Sequence, residues 1–333
     1  MKTLVTGATG FLGATLTRRL LQEGVQVRAV RREHSQLDLL AGVAGHLEWV
    51  TADVSDRESL DEALRDVSRV YHCAASVGFD GSTTRRKFLD INVGGTANMI
   101  DAALDAGVER FVQTSSIAAL GRNRGSQDCM DETAEWRESS IESDYGESKY
   151  RSELEVQRGI AEGLNAVIVN PSLIMGVGRP GENTMLLVEK VRKRRIPFFP
   201  VGGTNVVDVL DVVDGHIRAM EKGRTGERYL LTGENLSWSS IISTLAKALE
   251  VNPPKRSASP ALMMGMSVLF ELGAHLTRTR PHLTRETARM SATTTCYSNE
   301  KAIRELGCSF RPFSETAFRI ANETLGVKLV SGL

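Results

Sequence analysis

Tyr145 and Lys149 stand four residues apart in "DYGESKY", so on a helix they share one face, with an ammonium beneath a phenolic oxygen. A tyrosine with an ordinary pKa near ~10 is a poor proton carrier at neutral pH. A neighbouring cation stabilises the phenolate and brings proton exchange within reach. On its own the pair fits any solvated helix surface. It gains weight from "FVQTSSIAALG", where an apolar run ends in Ser115 and Ser116. A hydroxyl at the carboxyl end of a parallel strand faces the crevice where ligands bind, and can donate to an oxygen on which negative charge develops.

These groups need a scaffold, and the first half of the chain supplies a pattern for one. Short β-branched runs ("KTLVT", "VQVRAV", "HLEWVTA", "RVYHCAA", "RFVQTSS", "LNAVIVNPS") alternate with segments of helical period such as "FLGATLTRRLLQEG" and "SDYGESKYRSELEVQRGIAEG". Strand and helix repeated in this way predict an α/β fold, a doubly wound parallel sheet with helices on both faces. Gly24, Gly107 and Gly163 sit where the helical patterns stop. Residues 1–170 read as the sheet domain. Residues 171–333 read mainly as a smaller α+β substrate lobe, with 205–222 ("NVVDVLDVVDGHIRAMEK") threaded back onto the sheet.

Between the first strand and the first helix lies "GATGFLG". Such a turn aims unsatisfied backbone N–H groups, at the positive end of a helix dipole, toward one point that attracts phosphate. Gly7 allows the tight turn, Gly10 lets a pyrophosphate approach the backbone, and Gly13 lets the helix lie close to the strand. The strand–turn–helix context makes this a dinucleotide cradle. An acid about 20 residues on would grip the ribose 2′-hydroxyl of NAD. Here the second strand ends in Arg31 and Arg32, which suits the extra phosphate of NADP. NADP(H) is therefore favoured over NAD(H). Asp53 in "TADVSD" follows the third strand and would border the adenine.

Composition narrows the alternatives. Lys plus Arg and Asp plus Glu both total 41, for a formal net charge of zero, so no global field favours nucleic acid or an anionic surface. The four cysteines, Cys73, Cys129, Cys296 and Cys308, are far apart with no CxxC, and the six histidines form no cluster. Reduced thiols in a soluble, untargeted cytoplasmic protein without a metal site are expected. One stretch stands apart: "SPALMMGMSVLFELGAHL", residues 259–276, is Met-rich and nearly uncharged. It reads first as a core or lid helix, second as the lining of an apolar substrate channel, and third as a membrane contact.

Taken together, the TGxxGxxG turn, "DV" after the third strand, "HCAA" after the fourth, "NVGGTAN", the strand-terminal serines, YxxxK and "NPSLIMGVG" resemble the extended short-chain dehydrogenase/reductase superfamily over the whole chain. That resemblance implies a Rossmann-type fold and a Ser-Tyr-Lys hydride-transfer site. Ser116 would be the catalytic hydroxyl, Tyr145 the acid/base, and Lys149 the residue that lowers its pKa and contacts the nicotinamide ribose. Asn92 would position the active-site helix. The cofactor contacts implied comprise Thr9, Phe11 and Leu12 beside the three glycines, Val54 beside Asp53, and Ala74 and Ala75 in the groove. Thr114, Pro171 and Ser172 complete the set near the nicotinamide. Ser76 to Phe79 and Met175, with residues of the 260s and 270s, would wall the substrate cleft.

Within the superfamily, dehydratases carry an acidic pair directly after the active-site hydroxyl, where this chain has Ile117 and Ala118. Nucleotide-sugar epimerases carry an Arg-Asp-aromatic-Val-His-Val run, where this chain has "TNVVDVLDV" with Asn205 and Asp208. "GERYLLTGENLSW" and the apolar segment look instead like the dihydroflavonol-reductase-like and hydroxysteroid-dehydrogenase-like branch. The expectation is an NADP-dependent reductase of a fairly hydrophobic carbonyl, or the reverse reaction on an alcohol. The alternatives are an NAD-dependent nucleotide-sugar epimerase and a non-catalytic dinucleotide-binding regulator. A homodimer through the helices of Asn92 and Tyr145 is common in the superfamily.

Overall fold

The computed structural model describes residues 1–77, 83–121, 129–136, 143–277 and 284–326. The first half runs β1 (Lys2–Thr6), α1 (Phe11–Gln22), β2 (Gln26–Arg31), β3 (Glu48–Thr51), α2 (Arg57–Ala63), β4 (Val67–His72), α3 (Arg85–Phe88), α4 (Gly95–Asp105), β5 (Arg110–Thr114), α5 (Asp144–Ala161) and β6 (Ala166–Pro171). The second half runs β7 (Leu173–Met175), α6 (Asn183–Arg192), β8 (Gly203–Asp208), α7 (Val209–Lys222), β9 (Arg228–Leu231), β10 (Glu234–Ser237), α8 (Trp238–Ala248), α9 (Pro260–Thr277), α10 (Arg285–Ala292) and α11 (Phe313–Leu325).

Seven parallel strands form the main sheet in the order β3-β2-β1-β4-β5-β6-β9. Alternation along each strand sends its side chains to two cores. Val5, Val112 and Val169 join the core that includes residues of α1 and α7. Leu4, Phe111 and Ile168 join the one that includes residues of α4 and α5. The strand order reverses between β1 and β4, which opens a crevice at their carboxyl ends. β9 comes from the half of the chain read mainly as the second lobe, yet it pairs with β6 in this sheet. Tyr229, Leu230 and Leu231 are fully buried there, so the apolar residues of β9 are covered on both faces of the sheet, while Arg228 at its start is only partly buried.

A second, three-stranded sheet runs β10-β8-β7. A separate core joins Met175, Val188, Val206, Ile241, Leu245 and Ile320 beneath α6, α8 and α11. The segment 259–276 forms α9, but the expected core helix is only half realised. Met263, Ser267 and Ala274 are buried, while Leu262, Val268 and Leu269 are exposed. No helix among the described residues is long and apolar enough to cross a membrane.

The expectation of reduced thiols fails for one pair, because Cys129 and Cys296 form a disulfide with Cα atoms 4.5 Å apart. Backbone pairing brings them together: Met130 N donates to Cys296 O at 2.9 Å and Ser298 N to Met130 O at 2.8 Å. A separation of 167 residues hides that proximity in the sequence. Cys73 and Cys308 are free thiols.

Candidate active site

β5 delivers Thr114, Ser115 and Ser116 to the crevice, and α5 crosses beside them. The Ser143 hydroxyl caps α5 by accepting from Gly146 N at 2.9 Å, satisfying a helix-end donor that burial would otherwise orphan. A Cβ on Gly146 would lie 2.9 Å from Ala118 O, so the glycine after Tyr145 lets the helix close on the serine turn. In that turn Ser116 Oγ accepts from Ala118 N at 3.2 Å. Tyr145 is buried, and burial pushes its phenol up to about 12, against the pull of a hydrogen bond with the Ser116 side chain.

Lys149 follows one turn later and is buried too. Its Nζ donates to Thr114 O at 2.9 Å. Burial brings the ammonium down to about 8, and nearby Cys73 and Glu153 act in the opposite sense. The lysine, one helical turn beyond the phenol, is anchored on a strand carbonyl.

Two groups that sequence reasoning passed over hold this arrangement. Glu153, one turn beyond Lys149, is buried; its Oε1 accepts from Ser115 Oγ at 2.5 Å and from Asn170 Nδ2 at 2.6 Å. Asn170 Nδ2 also donates to Ser116 O at 3.0 Å, and Arg228 Nη1 reaches Glu153 Oε2 at 3.3 Å. His216 on α7 is fully buried, with Nδ1 2.8 Å from Val212 O and Nε2 2.9 Å from Thr114 Oγ1. A carbonyl can only accept, so Nδ1 carries the proton and Nε2 accepts from the Thr114 hydroxyl. Burial lowers His216 to about 4 and His72 to about 3, so both rings are neutral at pH 7.

Asn92 lies in a π-helical turn, Leu89–Gly94, and is buried. Its side chain accepts from Ser76 N at 2.7 Å and donates to Ser76 O at 3.0 Å and to Ser148 Oγ at 2.9 Å. It thereby ties the loop after β4 to α5. Of the expected cleft walls, Met175 is fully buried in the second-lobe core, because β7 turns it toward α6 and α8; it lines no cleft. Gly78 and Phe79 lie outside the described residues.

At the glycine turn, Gly7 has φ +64°, and a Cβ there would sit 2.8 Å from Ala74 N. A Cβ on Gly13 would sit 2.1 Å from Gly7 O. Both positions exclude side chains, and α1 starts without a side-chain cap or an acid in its first turn, leaving its N–H groups for an anion. The Thr9 carbonyl accepts from Arg179 Nη2 at 2.9 Å. Phe11 and Leu12 offer backbone at the helix start, but their side chains turn away. The Phe11 ring packs on Gly176 and Gly178, and Leu12 packs into the core. The reason is that α1 must bury its apolar face.

Farther along the crevice, Ala74 N donates to Thr6 Oγ1 at 3.2 Å. Val54 is buried and packs against Gly95. Asp53 Oδ1 accepts from Ser55 N at 2.9 Å and Ser55 Oγ at 2.6 Å. Burial would raise its pKa, but the Ser55 bonds outweigh it and hold the carboxyl below its usual range. Arg31 lies 5.5 Å from the centroid of the Trp49 ring, and Arg32 is exposed. Arg31 Nε and, beyond Pro171, Ser172 Oγ are buried without a hydrogen-bond partner among the described residues. A glycine cradle that a Cβ would fill, together with orphaned donors along the same sheet edge, fits a dinucleotide.

Comparison with known proteins agrees with this geometry. Residues 3–231 match the sequence model of the "NAD dependent epimerase/dehydratase family". The chain is similar to "Sterol demethylase protein B" of Methylococcus capsulatus, 39% identical over 81% of each chain. It is also similar to a Synechocystis sp. protein named provisionally as a dihydroflavonol 4-reductase, 33% identical over 91% of this chain and 88% of the relative. Among solved structures, that of gox2253 superposes with a TM-score of 0.83 at 33% identity, covering 97% of this chain and 98% of the other.

Proposed function

Since this chain belongs to the NAD-dependent epimerase/dehydratase family of extended short-chain dehydrogenases/reductases, we propose that it is an NADP-dependent reductase of a fairly hydrophobic carbonyl compound, working also in reverse on the alcohol. The observation that carries the reading is the junction of Ser116 and Tyr145 beside Lys149 at the carboxyl end of β5. Bound NADPH supplies the hydride for the carbonyl carbon. Tyr145 gives its proton to the carbonyl oxygen, which a buried phenol that keeps its proton at neutral pH is ready to do. Ser116 donates to the same oxygen as charge builds on it. Lys149 stays near the phenol as a partly protonated cation, and Asn92 fixes α5 against the loop after β4.

For the dinucleotide, Gly7, Gly10, Gly13 and the first turn of α1 hold the pyrophosphate, and Ala74, Ala75 and Val54 border the groove. Thr114, Pro171 and Ser172 border the ring. Arg31 and Arg32 take the 2′-phosphate. Two observations weigh against a sugar-diphosphate grip. Asp208 is fully committed, accepting from Arg319 Nη2 at 2.8 and 2.9 Å and from Leu210 N at 2.8 Å. Asn205 bonds Asn235 at 2.9 Å and Gly233 N at 2.9 Å.

A panel of hydrophobic ketones and aldehydes, run beside UDP-sugars with NADPH and NADH in separate assays, tests the proposal. Consumption of NADPH with the ketones and none with the sugars is expected. Tightly held, non-exchanging NAD with C4 inversion of a UDP-sugar would replace this reading with the epimerase.

A further inference from the structure

We infer that the outer face of α9 docks on an anionic lipid bilayer, lying in the headgroup plane without crossing it. From Pro260 to Leu269 the helix carries no charged residue. One edge holds it to the protein, where Met263 packs with Ala258, Ala288 and Phe198. The opposite edge presents Leu262, Val268 and Leu269, which are 45%, 39% and 70% exposed. Leu262 and Leu269 are two turns apart, so they fall on one stripe. An apolar stripe left in water marks a contact surface.

The neighbouring stretches supply charge, which identifies the occupant. Lys255 and Arg256 are exposed just ahead of α9. Phe199 N donates to Arg256 O and Ala258 N to Phe199 O, both at 2.9 Å. These bonds lay the chain leaving α6 alongside the start of α9. At the end of α6, Arg192, Lys193, Arg194 and Arg195 are all exposed. Arg194 and Lys255 line one hollow of about 250 Å³ together with Val191, Ile196 and Ile242. Of the acids in these stretches, Glu189 pairs with Lys193 at 2.9 Å and Glu271 with Arg285 at 2.7 Å, which leaves Glu250 against Arg192, Arg194, Arg195, Lys255 and Arg256. In a chain whose formal net charge is zero, this is a local concentration of cations beside an apolar helix. That combination suits anionic headgroups above an acyl boundary. A second copy of the chain seated on the same face would bring cations against cations.

The test is sedimentation of the full chain with phosphatidylcholine vesicles, with and without phosphatidylglycerol. Binding to the mixed vesicles should exceed binding to the neutral ones by roughly tenfold and should weaken as salt is raised. The double variant Leu262→Ser/Leu269→Ser changes exposed positions, so the fold should survive, as near-UV circular dichroism will report. Its binding should fall roughly tenfold or more. Lys255→Glu/Arg256→Glu should erase the preference for the anionic vesicles while reduction of a water-soluble ketone stays unchanged. No sedimentation with vesicles, equal binding to both compositions, or wild-type binding by the leucine variant would overturn the proposal. So would a wild-type dimer that the leucine variant dissolves, which would give the face to a second copy. Apart from the ketone control, which rests on the function proposed above, these readouts are independent of the substrate.

Discussion

At the carboxyl end of β5, Thr114, Ser115 and Ser116 accept or give hydrogen bonds to Lys149, His216, Glu153 and Asn170, which come from α5, α7 and β6. At the end of β2, by contrast, Arg31 leans on the Trp49 ring with its Nε unmatched, and Arg32 is tethered through its backbone N–H to Ser35 Oγ at 2.9 Å. The first region is fixed by the protein's own contacts, as chemistry that tolerates little misplacement requires. The second holds cations engaged only by the Trp49 ring, the Ser35 hydroxyl and the charge of Asp53 among the described residues. On the function proposed above, the reacting groups are held in place by the protein, whereas the side chains assigned to the far end of the dinucleotide are held loosely.

The contrast is broken most severely at Tyr145. Tyr145→Phe should lower kcat by about 10³-fold or more while NADPH affinity, read by calorimetric titration, moves by less than about threefold; unchanged turnover would remove the phenol from its role. Next comes Glu153→Ala, which removes the buried acceptor of Ser115 Oγ and one of the acceptors of Asn170 Nδ2 and of Arg228. It should cost about 3–5 kcal/mol in urea unfolding, and Glu153→Gln should cost less. A loss below about 1 kcal/mol would show that the β5 end is not over-determined. The smallest effect belongs to the open end. Arg31→Asp should shift the NADPH-to-NADH ratio of kcat/KM by about tenfold toward NADH, about 1.4 kcal/mol, and an unaltered ratio would count against a phosphate grip.

Local signals were legible in the sequence because spacing translates directly into geometry. Four residues make one helical turn, so Tyr145 and Lys149 had to share a face. The β-branched alternation with Gly-rich stops foretold strand, turn, helix and a parallel sheet, while the strand order, with β9 beside β6, was not in that pattern. What stayed hidden depends on distant partners. Glu153 sits in "KYRSELE", which reads as a solvated charged face; its burial follows from Ser115, Asn170 and Arg228 meeting it from elsewhere in the chain. His216 is one of several polar residues in the sequence of α7, and only the packing of α7 on β5 brings it to Thr114. The apolar segment 259–276 carried no sign of which edge would be covered, since with Glu271 as its one acid and no other charge it has no polar face to orient it.

The position of β9 has a consequence for synthesis. β6 acquires its outer neighbour only when Arg228–Leu231 has been made, after the chain has detoured through β7, α6, β8 and α7. A growing polypeptide therefore leaves the ribosome with one side of β6 uncapped for the whole detour, and such a ledge invites pairing with other chains. Its protection during that interval must come from the speed with which the following segments emerge and fold back.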